Sequence, residues 1–132
     1  TKIMDDANVQ DIADEDNKKE DRIILYHYTN EKGMLGIISS GVINPSLHEN
    51  NPKDARYGNG QYLSDIIPYT ATPTKLALIF INVPNRYKYT HYVAIDVTDM
   101  DVIPCRPGVY LIPNEGNLYV GDSIVGFGNA IL

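Results

Sequence analysis

Gly58-Asn59-Gly60-Gln61-Tyr62-Leu63-Ser64-Asp65, read together with Leu25-Tyr26-His27-Tyr28-Thr29, decides the fold of this chain. Two glycines that let backbone approach another group closely are followed at once by a tyrosine on a short β-like run. Such an arrangement holds a planar ring beside a flat ligand. The upstream stretch is a β-branched and aromatic strand with an imidazole near its end. The two stretches together predict a cleft made from strand ends.

Outward from these stretches the chain alternates short elements with clear punctuation. Residues 23–28 read as a strand ending at Thr29-Asn30. Asn30 is placed to cap a helix over residues 31–40 with Met34, Ile37 and Ile38 on one face, stopped by Gly41 in the left-handed region. Gly33 and Gly36 weaken that helix. Residues 42–45 are extended. Residues 46–57 are polar and hold His48, Asn50, Asn51 and Pro52, the composition of a surface loop of the kind that often carries function. Residues 61–64 form the second key strand. Thr72-Pro73 offers a cap and a first-turn proline for a helix through about Ile81, ended by Pro84-Asn85, although the apolar run there would serve equally as a buried strand. From His91 to Val97 apolar and polar residues alternate, with Val93, Ile95 and Val97 on one face. Further short strands are expected at 101–103, 109–112, 118–120 and 123–127, separated by Pro/Gly/Asn turns. Helices early and strands late predict an α+β class.

The length of 132 residues suits one domain that buries roughly two-thirds of its unfolded surface. Ten tyrosines against two phenylalanines and no tryptophan supply apolar area with polar tips, useful in a cleft and in a sheet alike. A net charge of −6 argues against a broad nucleic-acid footprint, which needs clustered Lys and Arg. Cys105 is the one cysteine, so no internal disulfide forms. With no long apolar run or signal-peptide pattern, the chain as given is expected to be soluble and not a membrane protein. Residues 1–22 are acidic and polar and read as a linker or N-terminal extension, leaving 23–132 as the domain. The first residue is Thr1, so the chain reads as a piece of a longer protein.

No Gly-x-Gly-x-x-Gly, Walker loop, His-Glu-x-x-His, Cys-x-x-Cys or Gly-x-Ser-x-Gly pattern is present, and three histidines with one cysteine make a metal cluster a poor expectation. His27, between two tyrosines near a strand end, can donate to a ribose-type hydroxyl with one ring nitrogen while backbone fixes the other. Alone, such a histidine is more often structural. The plainer reading of GNGQY is a tight hairpin turn with Tyr62 as core filler, and that of Arg56 is a surface ion pair with Asp54 or a neighbour.

LYHYT at 25–29, a helix ending in Gly41-Val42-Ile43-Asn44-Pro45-Ser46, ARYGNGQYLSD at 55–65 and THYVAIDV at 90–97 together resemble the His-Tyr-Asp class of ADP-ribosyltransferase domains at the ends of polymorphic toxins. More distantly, HYT is similar to the His-Gly-Ser segment of poly(ADP-ribose) polymerases and diphtheria-type toxins, and GQYLSD to their Gly-x-Tyr-Phe-Ala-Asp segment. The resemblance covers about residues 23–127. It implies two small, mainly antiparallel sheets forming a split β core with one or two helices.

The resemblance also implies roles. His27 would bond a ribose hydroxyl of NAD, Thr29 and the backbone of Tyr28 would hold the nicotinamide carboxamide, and Tyr62, preceded by Gly60, would stack on the ring. Tyr69 is the candidate for a second wall, and Arg56 for the diphosphate. An acidic residue starts the last core strand in the wider superfamily, and Asp122 in Asp122-Ser123-Ile124-Val125 has that form; Glu115 in the preceding turn is the alternative. The catalytic set implied is therefore His27, Tyr62 and Asp122. Cleaving a nicotinamide–ribose bond passes through a cation-like state, so a flat slot and a carboxylate suffice and no metal is called for. The implied activity is NAD-dependent mono-ADP-ribosyl transfer to a macromolecular acceptor, a protein ahead of a nucleic acid. An NAD glycohydrolase using the same cleft and an inactive NAD- or ADP-ribose-binding module are the alternatives. A secreted or delivered effector acting in a target-cell cytoplasm, with an immunity protein as partner, completes what the resemblance implies.

Overall fold

Strand β1 (Ile24–Thr29) lies at the join of two antiparallel sheets. The computed structural model of the protein describes residues 21–131; apart from Asp21 and Arg22, the linker expected over 1–22 falls outside the described residues. The remaining elements are α1 (Glu31–Ser40), β2 (Val42–Ile43), β3 (Gly60–Leu63), α2 (Pro73–Ile81), β4 (His91–Asp96), β5 (Ile103–Arg106), β6 (Val109–Pro113), β7 (Leu118–Tyr119), a 3-10 turn (Gly121–Ser123) and β8 (Ile124–Asn129). The first sheet has the order β1-β4-β8 and the second β3-β6-β5, and a small third sheet pairs β2 with β7. The class is α+β, as expected, with a split β core.

Both helices start and stop where the sequence places their caps. The Asn30 side chain accepts from the Gly33 amide at 2.8 Å, and Gly41 closes α1 at φ +73°. Thr72 accepts from the Lys75 amide at 3.2 Å, Pro73 opens α2, and the apolar run becomes helix. Asn82 at φ +61° ends α2, two residues before the Pro84-Asn85 expected to do so, because asparagine tolerates the left-handed region and its amide caps the Leu78 carbonyl.

The first sheet is covered on both faces. Leu25, Val93 and Ile95 pack with Met34 and Ile37 of α1 and with Leu63 and Ile112 of the second sheet. Tyr28 packs on the opposite face against Leu76, Ala77 and Ile81 of α2, with Tyr26 and Tyr92 beside them. Each such aliphatic side chain contributes about 1.5–3 kcal/mol by leaving water. Two covered faces explain why, on the side opposite Val93 and Ile95, Tyr92 is half-buried against the α2 cluster and Ala94 is buried.

Strand bounds differ late in the chain. β5 begins at Ile103 and continues to Arg106 instead of spanning 101–103, because a bulge between Pro104 and Arg106 absorbs the proline, which cannot donate to a ladder. Ser123 belongs to the 3-10 turn, and β8 runs on to Asn129.

Candidate active site

The two large sheets meet at one backbone bridge and then separate. Tyr26 and Ser64 exchange both hydrogen bonds at 2.8 Å. In an antiparallel ladder a residue's N–H and C=O point to the same side, and the side alternates along the strand. Tyr26 faces Ser64, so the N–H and C=O of Tyr28 also face away from β4. Had the pairing continued, Tyr28 would meet Tyr62. Instead the strands splay there, and Tyr28 and Tyr62 line a cavity of about 260 Å³.

His27 spans the split from β1. Its Nδ1 lies 3.0 Å from the Tyr62 carbonyl oxygen. A carbonyl only accepts, so Nδ1 carries the proton and donates, and Nε2 is left as an acceptor. Burial pushes the imidazole below its ordinary 6.5, only partly opposed by the Tyr62 hydrogen bond. The ring is neutral at pH 7. A ribose hydroxyl would therefore donate to Nε2, the reverse of the direction expected from the sequence.

Tyr62 is fixed at both ends. Its hydroxyl donates to the Gly58 carbonyl at 2.6 Å and accepts from the Tyr57 amide at 2.9 Å. The Gly58-Asn59-Gly60 turn thus orients the ring. Gly60 itself sits at φ +149°, where an added Cβ would lie 2.1 Å from the Ile112 carbonyl oxygen. The close approach read from the sequence is real, but it is made to the protein's own β6, and Gly60 does not line the cavity.

The cavity gathers His27, Tyr28, Thr29, Arg56 and Tyr62 of the residues expected at the site. A groove of about 550 Å³ along α1 shares His27, Thr29 and Asn30 with it as walls. Tyr69 is outside the lining. It is 51% exposed, holds the strained φ of +77°, bonds Ala130 through its amide and meets Tyr92 edge-on at 6.4 Å. Phe80 and Tyr89, packed edge to face at 5.1 Å, take the place of a second aromatic wall.

Asp122 is exposed on the 3-10 turn and is also outside the lining. Ile124 is level with Ile95 and hence with Leu25 in the first sheet. Glu115 is exposed and outside the lining too, on a turn tied to β3: the Asn114 amide bonds the Asn59 carbonyl at 3.1 Å and Gln61 Nε2 bonds the Gly116 carbonyl at 3.0 Å. Ser46, which lines the cavity, bridges Gly60 in the same layer.

Sequence reasoning missed four charged residues of the lining, Lys53, Asp54, Lys88 and Arg106. Asp54 pairs with Lys88 through both carboxylate oxygens at 3.0 Å, not with Arg56, and so ties the 46–57 loop to the segment before β4. Arg106 enters from the bulged end of β5. Only tertiary structure brings these groups together. No cluster of metal-ligating side chains occurs among the described residues, and no helix among them is long and apolar enough to cross a membrane.

The family model described as "HYD1 signature containing ADP-ribosyltransferase" matches residues 25–124. No curated protein and no solved structure matches the chain.

Proposed function

Because the chain belongs to the ADP-ribosyltransferase family marked by the HYD1 signature, a class of toxin domains, we propose that it cleaves NAD and transfers the ADP-ribosyl group to a protein side chain. The observation that carries the reading is the open end of the split: Tyr28, whose backbone N–H and C=O face away from β4, lines one cavity with Tyr62. A carboxamide has one acceptor and one donor group and sits on a flat ring, so it complements that opening. His27 Nε2 accepts from a ribose hydroxyl alongside. The bond from ribose C1′ to the pyridinium nitrogen breaks, its electron pair leaves with neutral nicotinamide, and the acceptor's nucleophile forms the new bond to C1′ as it gives up a proton.

The developing positive charge needs a carboxylate. We assign the role to Glu115, which like Asp122 lies outside the cavity lining but sits on the turn that Asn59 and Gln61 hold against β3. Glu115→Gln is expected to lower turnover at least tenfold with NAD affinity within severalfold, and Asp122→Ala to leave turnover within twofold. The opposite pattern in a steady-state assay returns the role to Asp122.

Incubating the protein with labelled NAD and a cell lysate tests the activity. Labelled protein and free nicotinamide are expected; neither appearing sinks the proposal. NAD loss at the same rate without lysate would mark water as the acceptor.

A further inference from the structure

Arg106 occupies an unusual position for a charged side chain. Pro107 and Gly108 join β5 to β6 in a two-residue turn with Gly108 at φ +84°, and the bulge just before it sets the direction of Arg106. Its Nη2 donates to the Phe80 carbonyl at 3.3 Å, while Nε is buried without a hydrogen-bond partner. Its guanidinium carbon lies 6.0 Å from the centroid of the Tyr57 ring. No carboxylate pairs with it among the described residues.

A buried N–H left without an acceptor is costly, and the cost falls when an anion arrives to accept from it. The rest of the cavity points the same way. Lys88 is neutralised by Asp54, but Lys53 and Arg56 stand exposed at the mouth with no ion pair among the described residues. One interior and two rim cations are thus concentrated in a chain of net charge −6.

We infer that Arg106, rather than Arg56, is the principal anchor for a diphosphate ester in this cavity, with Arg56 and Lys53 as outer contacts. The planar fork of a guanidinium matches two phosphate oxygens, which a lone ammonium does not. The inference rests on the dinucleotide reading of the site and names the residue that holds the linkage between its two halves.

Calorimetric titration of the full chain with inorganic pyrophosphate and with ADP-ribose tests it, using wild type, Arg106→Met and Arg106→Lys. Arg106→Met is expected to weaken both ligands at least tenfold, with Arg106→Lys in between and the nicotinamide affinity within twofold. The melting temperature of Arg106→Met without ligand should equal or exceed that of wild type, since the substitution removes a buried N–H lacking an acceptor. A lower melting temperature together with unchanged pyrophosphate binding would mark Arg106 as a mere brace for Phe80. Wild type failing to bind pyrophosphate and ADP-ribose would also overturn the inference. NAD cleavage unaffected by Arg106→Met leaves the activity standing without this anchor. Pyrophosphate bound through Arg106 in a protein that never cleaves NAD leaves the anchor standing without the activity.

Discussion

The Nδ1 proton of His27 is committed to the Tyr62 carbonyl, so any role in holding a substrate hydroxyl falls to an unprotonated Nε2. Burial keeps the ring neutral by depressing its pKa below 6.5. Above pH 6.5 folded and unfolded chains both carry it neutral, and stability is unaffected by its titration. As pH falls below 6.5 the unfolded chain takes up the proton first, so the folded state loses stability until the folded-state pKa is passed. The rate of NAD cleavage should be flat near neutrality and fall on the acid side with an apparent pKa below 6.5. A kcat/KM profile whose acid limb lies at or above 6.5 would contradict this arrangement. Tyr62 separates two effects at the same split. Tyr62→Phe keeps the ring but removes its bonds to Gly58 and Tyr57, which should cost about 1–2 kcal/mol in denaturant unfolding. Tyr62→Ala also removes a face of the slot, and should weaken NAD binding at least tenfold by titration.

Two glycines on α1 look alike in sequence and act differently on the element. An added Cβ at Gly33 would lie 2.1 Å from Thr29 Oγ1 and 3.2 Å from its Cβ, whereas at Gly36 it would meet no atom within 4 Å. Gly36→Ala should therefore raise helix stability by about 0.5–1 kcal/mol, the ordinary gain of alanine over glycine. Gly33→Ala should lower stability despite the same gain, because Thr29 is β-branched and cannot swing clear. Thermal melts of the two variants decide it, and equal shifts would refute the contact. The pair also marks what sequence discloses. Caps at Asn30, Gly41, Thr72 and Pro73 act within a few residues of themselves, so both helices were legible. The His27 and Tyr62 strands were legible because each carries its own pattern. The start of β5, the burial of Tyr92 and the approach of Arg106 depend on a bulge and on packing between distant segments, and no local pattern records them.

At the scale of the molecule, one ion pair fastens the loop on one side of the cavity to the chain on another. The 46–57 loop supplies Lys53, Asp54, Arg56 and Tyr57 to the lining, and the Asp54–Lys88 pair fastens it to the chain entering β4. Lys88 and Asp54 side chains are 38% and 25% exposed, so solvent screens the pair and its share of global stability is about 1 kcal/mol at most. Its effect on the loop is of another kind. His48 Nδ1 donates to the Ala55 carbonyl, a bond that lies within residues 46–57. The loop's backbone ties, from Ser46 to Gly60 and from the Tyr57 amide to the Tyr62 hydroxyl, run to the neighbouring β3, whereas the pair joins residues 34 positions apart and fastens the loop to the chain entering β4. Lys88→Met should therefore leave the melting temperature nearly unchanged, speed hydrogen exchange over residues 48–57, and raise the KM for NAD severalfold with kcat little altered, since the loop's cations would no longer be held over the cavity. Unchanged exchange in the loop, or a fall in kcat with KM preserved, would show that the pair does not position it. High salt should reproduce the variant's behaviour in wild type, because the same ions that screen an exposed pair release the wall it holds.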